Sequence, residues 1–116
     1  MNEEKNRVAC GNYVHERINF DYYKVLFDPV RFDLFIYLLA YGAKNIKEIT
    51  ENFSQDRSVI SRHLDLMNRH GMVEKRKENR NIYYDASREA VMMQVDETLD
   101  IIKKLILNAP PKESRE

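Results

Sequence analysis

The sequence predicts a mainly α-helical domain carrying one small β-hairpin, and three observations support that reading. Apolar residues recur at helical spacing in successive segments punctuated by Asp28-Pro29, Gly42 and Gly71. An extended stretch beginning at Met72-Val73 turns at Glu78-Asn79-Arg80 and returns through Asn81-Ile82-Tyr83-Tyr84. A long apolar stripe then runs from Val91 to Ile106 on what reads as one helix.

The elements follow in order. Residues 1–12 are polar and expected to be flexible, residues 13–108 form the folded domain, and residues 109–116 form a tail in which Pro110 and Pro111 prevent a helix from continuing. The first helix is expected over about Tyr13 to Phe27. Asp28 then caps a second helix whose first position is Pro29, where a missing N–H costs nothing. That helix, about Pro29 to Tyr41, is apolar almost all round, which marks it as the central buried element, and Gly42 ends it.

Asn45 with Glu48 three residues later forms a capping box for a short helix of about two turns, with Ile46, Ile49 and Phe53 on one face. The polar turn Ser54-Gln55-Asp56 leads into a helix from about Arg57 to Arg69, capped by Asp56 or Ser54. Its buried stripe is Ile60, Leu64 and Met67, leaving Arg57, Ser58, Ser61, Arg62, Asp65 and Asn68 on the exposed side. Gly71 supplies a left-handed stop, and the hairpin follows with Lys75, Arg76 and Lys77 near its tip. The last helix, about Ser87 to Asn108, carries Val91, Val95, Leu99, Ile102, Leu105 and Ile106. A stripe that long at the end of a small domain calls for a partner.

With 116 residues the chain can bury one core without disulfides or metal staples, and a second catalytic domain has no room. Its composition, 43% apolar and 33% charged, is that of a soluble globular protein. No apolar run approaches the roughly 18 residues that cross a bilayer. The first apolar cluster is broken by Arg17, Asp21 and Lys24, which argues against a secretory signal and for the cytoplasm, with no membrane partner. Cys10 is the only cysteine, so no intrachain disulfide or all-thiolate cage can form.

The net charge is zero, yet it is unevenly distributed. Between Ser54 and Arg80 basic residues exceed acidic ones by about three, whereas between Asp85 and Asp100 acids exceed bases by about four. The basic stretch coincides with two short helices joined by a tight turn, the second exposing small polar and basic side chains. A helix of that kind fits the major groove of double-stranded DNA, where arginine hydrogen-bonds guanine and short side chains permit close approach. Gln55, Arg57, Ser58, Ser61, Arg62 and His63 are the candidate contacts. The basic hairpin directly after them reads as a wing, with Lys75, Lys77, Asn79 and Arg80 placed against phosphates or in the neighbouring minor groove. The fold expected is therefore a winged helix-turn-helix.

The chain resembles the ArsR/SmtB family of winged-helix transcriptional repressors over about Val25 to Tyr84. The resemblance rests on Asp28-Pro29-Val30-Arg31-Phe32, Ser58-Val59-Ile60-Ser61-Arg62-His63-Leu64, Gly71-Met72-Val73 and Asn79-Arg80-Asn81-Ile82-Tyr83-Tyr84, in that order and spacing. It implies a homodimer joined through the first and last helices, with the stripe from Val91 to Ile106 as interface, binding an inverted-repeat operator as a repressor. Many relatives of this kind sense metals, and there the sequence departs. Asn45-Ile46-Lys47 stands where a Cys-Val-Cys thiolate site would be, and no histidine follows His70 to complete a site on the last helix. Asp96, Glu97 and Asp100 read as a solvated face, so neither a metal nor another cofactor is expected.

An unidentified small-molecule or redox effector stays open. Cys10, His15 and Glu16 could join a dimeric site, or Cys10 could pair with its twin on oxidation, although a single terminal cysteine is usually without such a role. Tyr13, Phe20, Tyr22, Tyr23 and Phe27 could line a pocket, but an aromatic stripe is more often core. Neutral net charge supports one alternative, a winged-helix protein-interaction module that does not bind DNA. An enzyme is not expected, because the chain lacks a glycine-rich phosphate loop, a metal triad or a Ser-His-Asp set placed in a pocket.

Overall fold

The computed structural model describes residues 16–112. They divide into two compact units, one of residues 20–92 and one of residues 16–19 with 93–112.

The first unit holds the expected elements. The helix anticipated over 13–27 is interrupted at Ile18-Asn19, and α1 spans Phe20–Leu26, burying Tyr22, Val25 and Leu26. Residues 13–15 of that expectation, with Cys10 and His15, lie outside the described residues. Helix α2, Pro29–Tyr41, starts where the sequence places it: Asp28 Oδ2 accepts from the backbone N–H groups of Val30 and Arg31 at 3.1 and 3.2 Å. Gly42 closes it at φ 82°, its N–H donating to Leu38.

Helix α2 is less enclosed than its composition suggests. Leu34, Phe35 and Leu38 are buried, whereas Phe32, Ile36 and Tyr41 are exposed. An apolar surround is a property of composition, and among the described residues the neighbours cover one arc of it. Phe20 and Phe27 are exposed as well and Tyr23 is half-buried, so among the described residues of the aromatic cluster Tyr22 alone belongs to the core.

A two-residue strand that the sequence does not announce, β1 (Lys44–Asn45), precedes α3 (Ile46–Thr50). Asn45 does two jobs. Its backbone pairs in the sheet while its side chain accepts from Glu48 N–H at 2.9 Å, and Glu48 Oε1 accepts from Asn45 N–H at 3.0 Å, completing the capping box. Helix α4 covers Arg57–Arg69, with Ile60, Leu64 and Met67 fully buried as one stripe. Asp56 occupies its N-cap position without making a side-chain capping hydrogen bond.

The end of α4 is a Schellman turn: Met72 N–H donates to Met67 O, Gly71 N–H donates to Asn68 O, and Gly71 takes φ 75°. Strands β2 (Val73–Glu78) and β3 (Asn81–Ala86) pair antiparallel through the two-residue loop Asn79-Arg80, and the sheet order is β1-β3-β2. Asn79 sits at φ 57°, a conformation asparagine tolerates better than most residues. The final helix, α5, spans Arg88–Leu107.

In the second unit Ile18, Thr98 and Ile101 are buried, while Leu99, Ile102 and Ile106 are exposed. Val95 and Leu105 lie between these extremes. The expected stripe is therefore split along its length. Val91, expected at an interface, is buried in the first unit of the single chain. No helix among the described residues is long and apolar enough to cross a membrane.

Candidate nucleic-acid interface

The turn between α3 and α4 aims the second helix outward. Because Ile60, Leu64 and Met67 fix the buried arc, the helical period puts Ser58, Arg62 and Arg69 on the opposite side, with Asp65 and Ser61 flanking them. Arg57, Ser58 and Arg62 are exposed. Gln55 and Ser61 are half-buried, and so is Asn68, which leaves the outward set: its Nδ2 donates to Val73 O at 2.9 Å and braces the base of the hairpin.

Strand alternation then sorts the wing into two chemically different faces. Paired residues in an antiparallel ladder project to the same side, and that side alternates along each strand. Lys75 opposite Tyr84 and Lys77 opposite Ile82 share one face, while Glu74 opposite Asp85, Arg76 opposite Tyr83 and Glu78 opposite Asn81 share the other. The first face is the one turned to α4, since Lys75 Nζ lies 3.3 Å from Asp65 Oδ1 and above the Tyr84 ring. Burial pushes the Tyr84 phenol up, Lys75 pulls it back, and Asp65 adds to the rise.

Arg76 belongs to the far face. Its Nε donates to Glu78 Oε1 at 2.8 Å, and its guanidinium lies 6.0 Å from the Tyr83 ring centre. The structure thus brings Lys75 and Lys77 beside α4 and separates Arg76 from them, although the three are consecutive in sequence. Asn79 and Arg80 are exposed at the tip.

His63 has a different setting from the other candidates. It is half-buried at the edge of the core arc, where Arg31 Nη1 lies 3.1 Å from its Nδ1. Arg31 also donates through Nε to Val25 O at 2.7 Å and through Nη2 to Lys24 O at 3.5 Å, the last carbonyls of α1. Burial holds the His63 pKa below the ordinary imidazole value, Arg31 lowers it further, Asp28 opposes and Arg62 reinforces. The pairings of Arg31 with His63 and of Asp65 with Lys75 are not legible in the sequence. Neither has a local signal, because Arg31 meets His63 across 32 positions and Asp65 meets Lys75 across 10.

Residues 27–89, more than half of the chain, match the family described as the sugar-specific transcriptional regulator TrmB. The chain belongs to the TrmB family of transcriptional regulators. Several solved structures share its fold. An ArsR family transcriptional regulator aligns with a TM-score of 0.66 at 18% identity, covering 77% of this chain and 90% of the other. A possible transcriptional regulator for arsenical resistance aligns at 0.62 and 24% identity, covering 78% and 98%. The transcriptional repressor BigR from Xylella fastidiosa aligns at 0.53 and 17% identity, covering 96% and 99%.

No curated protein sequence matches the chain. The winged helix-turn-helix expected from the residues is present, and the expected likeness to ArsR-type regulators holds at the level of fold. Among the described residues of this TrmB-family chain no group of three or more His, Cys, Asp and Glu side chains is placed to hold a metal ion.

Proposed function

We propose that the chain is a cytoplasmic, homodimeric repressor that reads an inverted-repeat operator in double-stranded DNA. The observation that carries the reading is the shared orientation of two basic surfaces: the wing face bearing Lys75 and Lys77 is the face turned to α4, whose outward side bears Arg62. A helix seated in the major groove would bring that wing face and the tip residues Asn79 and Arg80 to the adjoining backbone. Arg57, Ser58, Ser61 and Arg62, with Gln55 before them, supply contacts to base edges and flanking phosphates.

The zero net charge is no obstacle, because charge is unevenly placed within the wing itself: Glu74, Glu78 and Asp85 lie on its far face, away from Lys75 and Lys77. Dimerisation draws on α5, where Leu99, Ile102 and Ile106 remain exposed, with Val95 and Leu105 half-buried beside them. Two copies supply two α4 helices, and an operator of two half-sites about one helical turn, roughly 34–36 Å, apart is the expected target. The relatives' description as sugar-specific concerns those proteins, and the matched span is the winged helix itself.

Selection of bound sites from a random DNA pool, followed by affinity measured against salt, tests the reading. The expected result is an enriched inverted repeat whose affinity falls steeply with salt, and Arg62→Ala loses more affinity for the selected site than for random DNA. A dimer without salt-dependent DNA affinity, but with a stable protein partner, would instead favour the interaction-module alternative.

A further inference from the structure

The Arg31–His63 contact fixes the state of the histidine as well as its position. A guanidinium carries only donors, so the imidazole nitrogen 3.1 Å from Arg31 Nη1 has to be the accepting, unprotonated one. That nitrogen is Nδ1. The ring is therefore neutral, with its proton on Nε2, because the hydrogen bond made by one ring nitrogen sets the state of the other. The same guanidinium is tied to Val25 O and Lys24 O, so one side chain spans the end of α1, the first turn of α2 and the middle of α4.

On α4 His63 lies at the boundary of the buried arc, whereas Ser58 and Arg62 point away from it. A neutral, half-buried imidazole on that flank is poorly placed to neutralise a phosphate. Resting on the DNA-binding reading above, we propose that His63 is a positioning residue of the recognition helix, held by Arg31 as the Nε2–H tautomer, and that this link sets how α4 is presented to the major groove. Lateral constraint matters because a hydrogen bond to a base edge is directional and breaks when the helix rolls about its axis.

The test combines a spectroscopic and a binding arm on the full chain. Long-range proton–nitrogen correlation spectra of the free protein at neutral pH should show His63 with bare Nδ1 and protonated Nε2, and Arg31→Met should release it to a mixture of tautomers. In binding, Arg31→Met and His63→Leu should each lower the ratio of selected-site to random-DNA affinity by about three- to tenfold, the size expected for one hydrogen bond. The salt slope should stay unchanged, because neither side chain neutralises a phosphate. The double variant should lose no more than either single one. His63→Asn, whose Oδ1 can accept near the position of Nδ1, should recover most of the ratio.

A protonated Nδ1, a salt slope reduced by about one unit in His63→Leu, or fully additive losses would overturn the proposal while leaving the DNA-binding reading intact. A parent protein with no salt-dependent DNA affinity overturns both. Thermal unfolding of each variant separates loss of fold from loss of register.

Discussion

Lys75 of the wing and Asp65 of the recognition helix form an ion pair at 3.3 Å, joining the two elements that are expected to meet DNA. The side chains are 39% and 49% exposed, so the pair contributes little to stability, within about 1 kcal/mol. Its larger effect is to occupy a lysine that would otherwise be free for phosphate. Asp65→Asn should therefore raise affinity for random DNA and steepen its salt dependence by up to about 0.9 in log–log slope. Unchanged affinity and slope, measured by fluorescence anisotropy across a salt series, would show that Lys75 never reaches the backbone.

At the tip of the wing the expected change has the opposite sign. Arg80→Ala should shallow the salt slope by about 0.9 for each phosphate that the wing no longer neutralises, with nearly equal weakening on selected and random DNA. Equal slopes for parent and variant would remove the tip from the interface.

Acidification should destabilise the domain through His63. Its folded-state pKa lies below the ordinary value of about 6.5, so the unfolded chain binds more protons in the window just beneath that value. Stability on this account is fully present above about pH 6.5 and falls as the pH drops through the lowered folded value. The groups facing the ring are Arg31 and Asp28 from the start of α2 and Arg62 from α4 itself, with α1 entering through the carbonyls that Arg31 binds. His63→Asn should flatten the dependence of the melting temperature on pH in this window; an identical dependence in the variant would contradict the assignment.

Asp28→Ala removes an acceptor that two backbone N–H groups share at the start of α2. A loss of about 1 kcal/mol is expected in urea unfolding, with m unchanged, and Asp28→Asn should recover part of it. A loss below a few tenths of a kcal/mol would mean that solvent serves those groups equally well.

Charges placed on the exposed apolar side of α5 should oppose self-association. Leu99→Lys combined with Ile106→Lys is expected to halve the mass in sedimentation equilibrium. Affinity for the full inverted repeat should fall about a hundredfold or more, as two linked half-site engagements become one. A variant that stays dimeric would place the interface elsewhere.

Features whose partners lie within a turn or two of chain are legible in the residues alone. Asp28-Pro29 and the Asn45/Glu48 box encode helix starts because their partners lie within one turn. Gly71 encodes the end of α4 because a left-handed residue is required there. The stripe Ile60, Leu64 and Met67 encodes which side of that helix is outward, and hence Arg62 as a candidate, through the helical period alone.

Features that depend on distant partners emerge only when the chain is folded. The strand Lys44–Asn45 exists because β3 pairs with it, and two residues carry no periodicity of their own. Which part of the α5 stripe is covered was not legible, since Val91 and Leu99 are equally apolar and only their surroundings separate core from open surface. The wing supplies the clearest case. Lys75, Arg76 and Lys77 form one basic run in the sequence, and pairing with β3 sends Lys75 and Lys77 toward α4 and Arg76 away, because side chains alternate across a pleated strand.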